Sequence, residues 1–213
     1  MPAILPGETD IYAITDARLS LGRPIAVIAE ALLGAGVRIL QYREKSLKAG
    51  RMLEECRLLR ALTREAGACF IVNDHIDIAL LVEADGVHIG QEDLPLVEAR
   101  RLVGKGMIVG VSTHSPEQAH AARDAGADYV GVGPIFATRT KEDVVAPVGF
   151  EYLDWVSRNM DVPFVAIGGI KEHNIAEVTR HGARCCALVS ELTGASDIPA
   201  KVAALRAAMK RKE

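Results

Sequence analysis

One pattern dominates the chain and limits what it can fold into. A helical stretch ends on Gly or Ala-Gly, and a short apolar run follows almost at once. Ala35-Gly36 leads into 37–41, Glu83-Ala84-Asp85-Gly86 into 87–90, Ala125-Gly126-Ala127-Asp128 into 129–133, and His181-Gly182-Ala183-Arg184 into 185–190. Gly suits the left-handed turn that closes a helix. Short runs that are apolar throughout read as strands buried on both faces of a parallel sheet. Reading the gaps in the same way predicts eight strands, at 11–15, 37–43, 69–73, 86–90, 107–112, 129–135, 163–168 and 185–190.

Amphipathic stretches separate them. Leu47–Ala66 carries Leu53, Cys56, Leu59 and Leu62 at helical spacing. Pro116–Ala125 opens with Ser115 as its expected N-cap and Pro116 at the first helical position. Ile198–Met209 forms the last helix. Strict alternation of strand and helix requires a parallel sheet. Eight units in 213 residues predict an α/β fold, a single (β/α)₈ TIM barrel over residues 1–213. An open doubly wound sheet of five or six units is the alternative if strands are over-counted.

Composition excludes other classes. Apolar residues make up 49% and charged residues 25%, which is globular rather than disordered or fibrous. A net charge of −3 gives no field that would draw the chain to nucleic acid or an anionic membrane. The basic Lys210-Arg211-Lys212 reads as a solvated helix end. Cys56, Cys69, Cys185 and Cys186 form no C-x-x-C pair, so buried free thiols in a reducing cytoplasm are expected, not a disulfide framework or zinc site. No basic start precedes a long apolar stretch at the N-terminus, and no run approaches membrane-spanning length. Neither a signal peptide nor a membrane span is expected.

In such a barrel, chemistry collects at the C-terminal ends of the strands. The second predicted strand runs into Gln41-Tyr42-Arg43-Glu44-Lys45. With period two, Gln41, Arg43 and Lys45 share a face, and cations gathered there call for an anion. A peripheral salt-bridge cluster is the bland alternative. The third strand ends at Asn73-Asp74, and the fourth in Gly90-Gln91-Glu92-Asp93-Leu94-Pro95. Asp74 or Asp93 alone reads equally as a helix cap. On neighbouring strands roughly 4.8 Å apart, the two carboxylates would repel by about 3 kcal/mol at an effective dielectric of about 20. A shared proton or a cation must relieve that. Mg²⁺ suits them, because it often takes one or two carboxylates and completes its shell with water and substrate phosphate.

The fifth strand ends in Val111-Ser112-Thr113-His114, with Ser112 a hydrogen-bonding candidate and His114 an acid or base, or simply a satisfied structural group. His75, His88, His120, His173 and His181 have no metal-ligand spacing and receive no role. The connection from Phe136 to Val148 is about thirteen residues, longer than usual. It carries Thr138, Arg139, Thr140 and Lys141, and reads as a lid or as a solvated loop. Gly168-Gly169-Ile170 after the seventh strand and Val189-Ser190 at the eighth mark the usual phosphate position of these barrels.

These motifs, in this order, resemble the thiamine-phosphate synthase family. The resemblance runs from Tyr12-Ala13-Ile14-Thr15-Asp16 to Val189-Ser190-Glu191-Leu192-Thr193-Gly194. It is carried by Gln41–Lys45, Asn73-Asp74, Gly90–Pro95, Gly110–His114, Gly131–Lys141 and Gly168–Ile170. One departure is Ala137, where the family often has proline. The resemblance implies a transferase of thiamine biosynthesis. It joins 4-amino-5-hydroxymethyl-2-methylpyrimidine diphosphate to a thiazole phosphate, giving thiamine monophosphate and diphosphate, with CO₂ when the thiazole is carboxylated. It implies that Gln41, Tyr42, Arg43, Glu44, Lys45, Asn73, Ser112 and Lys141 hold the pyrimidine diphosphate. Of these, Arg43, Lys45, Ser112 and Lys141 would act in catalysis. Asp74 and Asp93 would ligate one Mg²⁺ per subunit. Thr138, Arg139, Thr140, Gly169, Val189 and Ser190 would hold the thiazole phosphate. The partners expected are these small molecules, with no nucleic acid and no membrane; homo-oligomerisation is left open. Three alternatives are a thiazole tautomerase-like barrel using His114, a sugar-phosphate isomerase or epimerase, and a non-catalytic regulator that binds thiamine precursors.

Overall fold

The computed structural model describes residues 4–138 and 145–210. Strands and helices alternate as predicted: β1 Ile11–Ile14, α1 Ile25–Gly34, β2 Ile39–Tyr42, α2 Ala49–Ala66, β3 Cys69–Asn73, α3 Ile76–Leu81, β4 Gly86–Ile89, α4 Leu96–Val103, β5 Ile108–Thr113, α5 Pro116–Asp124, β6 Tyr129–Val132, α6 Gly149–Asn159, β7 Phe164–Ile167, α7 Ile175–Arg180, β8 Cys186–Leu188, α8 Ser190–Thr193 and α9 Ile198–Met209. The strands close into a parallel barrel in chain order, with β8 pairing β1. The open-sheet alternative is therefore excluded. Several strands are shorter than predicted. β2 starts at Ile39 instead of residue 37, because the apolar run begins while the chain is still leaving its helix turn. β6 stops at Val132, just before Pro134, which has no N–H for a ladder. Ser190 opens the four-residue α8 instead of ending a strand.

Side chains alternate between two cores. Ile11, Ala13, Leu40, Tyr42, Phe70, Val72, Val87, Val109, Val130 and Val132 face outward and pack under the helices. Tyr12, Ile14, Ile39, Cys69, Ile71, Tyr129, Val165, Cys185 and Ala187 fill the barrel interior, with Ile4 packed against them. Helix ends follow the expected chemistry. Ser115 accepts a hydrogen bond from the Gln118 N–H and caps α5, and Gly67 closes α2 in the left-handed conformation. Three aspartates just before strands are each gripped by an arginine from a helix: Asp85 by Arg60, Asp128 by Arg100 and Asp10 by Arg206. Asp85 also accepts the Phe70 N–H, and Asp128 the Val109 N–H, so these pairs tie helix and strand together. All four cysteines are free and buried. Burial raises the Cys56, Cys69 and Cys186 thiols to about 12, so they behave as inert core residues. No described helix is long and apolar enough to cross a membrane.

Candidate active site

A cavity of about 710 Å³ opens among the strand ends. On the β1–β5 side its wall includes Gln41, Arg43, Asn73, Ser112 and His114; on the β6–β8 side, Thr138, Gly168, Gly169, Val189 and Ser190. Of the three residues that period two put on one face, Gln41 and Arg43 line the cavity, whereas Lys45, past the end of β2, does not line it and pairs with Asp74. Arg43 is buried, and its Nη1 lies 3.0 Å from Oδ2 of the equally buried Asp16, which follows β1. Its backbone N–H donates to Thr15 Oγ1. Both ends of the arginine are thereby held from the neighbouring strand. Asp16 also binds Arg18, whose backbone N–H donates to Oδ1.

The side chains of Tyr42 and Glu44 turn away from the cavity. Tyr42 points into the helix layer, where its hydroxyl donates to Glu55 on α2 at 2.7 Å. Glu44 Oε1 accepts the N–H groups of Lys45, Ser46 and Leu47 and the Ser46 hydroxyl, and these four bonds hold its carboxyl below the usual range against burial. Neither side chain lines the cavity. Alternation along β2 sends Tyr42 outward, and Glu44 is spent on folding the loop.

Asp74 and Asp93 do converge. Asp74 sits immediately after β3 with φ +62°, and its N–H donates to the His88 carbonyl oxygen across to β4. This left-handed conformation, uncommon outside Gly, excludes the helix-cap reading; α3 is preceded by His75 and has no side-chain cap. Asp93 Oδ2 accepts the Gly90 N–H at 2.7 Å, which ties it to the end of β4, while α4 is preceded by Pro95. Lys45 Nζ lies 2.6 Å from Asp74 Oδ2. The Asp74 carboxyl is raised above its ordinary range, first by burial and then by a hydrogen bond and charge repulsion from Asp93, with Lys45 opposing. Two acids in contact, one with a raised pKa, form the negative pair that a divalent cation would relieve. No cluster of three or more His, Cys, Asp or Glu side chains suited to a metal occurs among the described residues. A metal here must complete its shell with water and ligand oxygens, which fits Mg²⁺.

On the opposite wall, Gly168 and Gly169 take φ +101° and +64°. A Cβ on Gly169 would lie 2.7 Å from the Ala137 carbonyl oxygen, so the turn packs directly under the segment after β6. Among the described residues the Gly169 N–H has no acceptor, as an oxyanion niche requires. Ser190 Oγ accepts from Lys171 Nζ at 3.1 Å, and Lys171 also pairs with Glu191. Lys171 lines the cavity and supplies positive charge beside the glycine turn; the sequence reading passed over it. Arg139, Thr140 and Lys141 lie outside the described residues. His114 lines the wall with Nδ1 hydrogen-bonded to the Gly133 carbonyl oxygen. His88, given no role from sequence, is inside the barrel between Tyr129 and Ser112.

A closed parallel barrel with its cavity at the strand ends, a carboxylate pair just beyond β3 and β4 and a glycine turn after β7, has the layout of a class: TIM-barrel enzymes for phosphorylated substrates. Comparison with known proteins narrows the class. The family model for thiamine monophosphate synthase matches residues 11–192. A thiamine-phosphate synthase of Pelotomaculum thermopropionicum is 60% identical over 206 residues, covering 97% of this chain and 94% of that protein. That of Lawsonia intracellularis is 56% identical over 212 residues, covering 98% of each. The solved thiamine phosphate pyrophosphorylase from Pyrococcus furiosus superposes with a TM-score of 0.86 at 36% identity, over 94% of this chain and 95% of that one. The chain belongs to the thiamine monophosphate synthase family and is a transferase of thiamine biosynthesis.

Proposed function

We propose that the cavity works as a two-anion condensing site. The pyrimidine diphosphate binds against β2–β5 and the thiazole phosphate against β7 and β8. The observation that supports this reading is that groups able to hold an anion gather on two sides of one cavity: Arg43, Ser112 and the nearby Lys45 on one, Gly169, Ser190 and Lys171 on the other. Asp74 and Asp93 would hold one Mg²⁺, which when bound supplies positive charge to the diphosphate oxygens.

The bond between the pyrimidine methylene carbon and the diphosphate oxygen breaks, and the electron pair leaves with the diphosphate. Arg43 and Lys45 stabilise that charge, and Ser112 donates a hydrogen bond to it. Lys141, which follows β6 in the sequence, is expected to join them. The electron-rich aminopyrimidine shares the positive charge left on the methylene carbon. The thiazole nitrogen, held at its phosphate by Gly169, Val189 and Ser190 with Thr138, Arg139 and Thr140, then forms the new C–N bond. A carboxylated thiazole loses CO₂ as well. No covalent enzyme nucleophile is needed.

Purified protein mixed with both precursors, with and without Mg²⁺, should form thiamine phosphate detectable by chromatography. No product with any divalent metal would reject the condensation. Product formed equally fast after removal of all divalent ions would reject the metal.

A further inference from the structure

Five polar side chains inside the barrel form one continuous hydrogen-bonded line. Gln41 Nε2 donates to the Tyr12 hydroxyl at 2.9 Å. The Tyr12 and Tyr129 hydroxyls are 2.7 Å apart. Tyr129 lies 2.9 Å from His88 Nδ1, and His88 Nε2 lies 3.0 Å from Ser112 Oγ. The line passes through β2, β1, β6, β4 and β5; Gln41, Tyr12, His88 and Ser112 border the floor of the cavity, and Tyr129 lies beneath it. Only its two ends, Gln41 and Ser112, carry residues assigned to the substrate. Tyr12, Tyr129 and His88 are buried. Burial also raises both phenols well above their ordinary range, so each keeps its proton.

With the imidazole neutral, each interior link has one proton to give: one O–H on each tyrosine and one N–H on His88. Such a line is satisfied only when every donor points the same way. Gln41 fixes the direction. Because Tyr12 accepts from the Gln41 amide, its own proton goes to Tyr129. Tyr129 then donates to His88 Nδ1, His88 carries its proton on Nε2 and donates to Ser112, and the Ser112 proton is directed into the cavity. At the other end, an amide that spends Nε2 on Tyr12 leaves its carbonyl oxygen for the cavity that Gln41 lines.

We propose that this line is a proton-ordered relay. It sets Ser112 as a hydrogen-bond donor and Gln41 as an acceptor for one and the same ligand, with Tyr12, Tyr129 and His88 as positioning residues. The two ends are coupled. A ligand that accepts from Ser112, as a diphosphate oxygen does, and donates to Gln41, as an exocyclic amine does, matches the resting polarity. A ligand that sets an acceptor against the Gln41 carbonyl oxygen clashes with that polarity, and turning the amide over to meet it reverses every bond in the line and takes the Ser112 proton away from the diphosphate. The identity of the ligand rests on the synthase reading; the polarity does not.

Two measurements test it. In protein labelled with ¹⁵N-histidine, with the His88 signals assigned by loss in His88→Gln, His88 should show a protonated Nε2 and a lone pair on Nδ1. A proton on Nδ1 would overturn the polarity, and this readout needs only the wild-type fold. Tyr129→Phe removes one hydroxyl from the middle of the line and touches no substrate. It should lower kcat/KM for the pyrimidine diphosphate about tenfold and leave KM for the thiazole phosphate unchanged. The 4-oxo analogue of the pyrimidine diphosphate, an acceptor where the amine donates, should be rejected less strongly by Tyr129→Phe than by wild type. Equal rejection by both proteins, or wild-type kinetics in Tyr129→Phe, would overturn the coupling. Failure of the wild type to make thiamine phosphate would instead count against the synthase reading, and the ¹⁵N result would still decide the polarity.

Discussion

The Asp16–Arg43 pair allows a test in which stability reports on the site. Both groups are buried, at 4% and 7% exposure, and their oxygen and nitrogen are 3.0 Å apart. Asp16→Asn keeps the shape of the side chain and an oxygen for the Arg18 N–H, but leaves the Arg43 charge without its counter-ion. Breaking a buried pair from one side costs about 3–5 kcal/mol. Arg43 borders the cavity, where water can reach it, so the lower end applies, about 3 kcal/mol. For a chain of this size each kcal/mol shifts Tm by about 2–4 °C, so Asp16→Asn should melt about 6–12 °C below wild type. The double variant Asp16→Asn with Arg43→Met removes the stranded charge and should recover part of that loss. Inorganic diphosphate should raise the Tm of the single variant, since the anion replaces the missing carboxylate beside Arg43. Differential scanning calorimetry measures all three. A shift under about 2 °C for Asp16→Asn, or a double variant less stable than the single one, would refute the assignment of Arg43 as a buried cation kept in place by Asp16.

The metal side of the site supports further tests. Asp93→Ala should lower Mg²⁺-dependent turnover on the order of a hundredfold or more while circular dichroism shows an intact fold; near-normal turnover would confine Asp93 to its turn with Gly90. Because the Asp74 pKa is raised in the folded protein, the metal-free fold retains a proton there that the unfolded chain gives up near pH ~3.9. Its stability contribution should therefore fall as pH rises from that value through the native pKa, and Mg²⁺ affinity should strengthen over the same interval. Urea unfolding with chelator and calorimetric Mg²⁺ titration at several pH values would detect this, and flat profiles in both would contradict the raised pKa. Gly169→Ala, which brings a Cβ within 2.7 Å of the Ala137 carbonyl oxygen at φ +64°, should raise KM for the thiazole phosphate with little change in KM for the pyrimidine diphosphate.

What could be read from the sequence follows the range of each signal. The Gly-ended helices and the apolar runs after them are local, and they located all eight strands. Period two along β2 correctly put Gln41 and Arg43 on one face. Asp74 and Asp93 were ambiguous singly and informative as a pair, because adjacent strands of a barrel must bring their ends together. Boundaries failed where an apolar residue precedes the first ladder pairing, as Val37 does before β2 opens at Ile39. The directions of Tyr42 and Glu44 were not legible for a different reason: their partners, Glu55 and the loop N–H groups, decide where the side chains go. Asp16 lay in a stretch already recognised, yet nothing local indicates that it faces Arg43, 27 residues on. Tyr12 and Tyr129 are separated by 117 residues and each reads as an ordinary core aromatic. His88 lies in an apolar run with no polar neighbour to mark it.

One signal for that interior line was nevertheless present, in the glycines of the strands. Gly110 lies within β5, where a Cβ would be 2.0 Å from the Tyr129 ring. The register pairs Gly110 with Tyr129 on β6 and with His88 on β4. A strand interior is a poor place for glycine unless something must come close, and here it is a ring that fills the barrel axis. Once two tyrosines occupy that space, their hydroxyls cannot be left unsatisfied in a dry core, so Gln41 and His88 are required by packing before any substrate is considered. Gly110→Ala therefore tests packing and function together. Overpacking costs about 1–3 kcal/mol, so the variant should still fold, with Tm lowered by about 2–12 °C. Displacing the Tyr129 hydroxyl should break the line to His88, so the variant should share the weakened use of pyrimidine diphosphate expected of Tyr129→Phe. Adding Tyr129→Phe to it should then cost little more activity. A double variant whose two kinetic losses simply multiply would show that Gly110 and the tyrosine act on the site by separate routes.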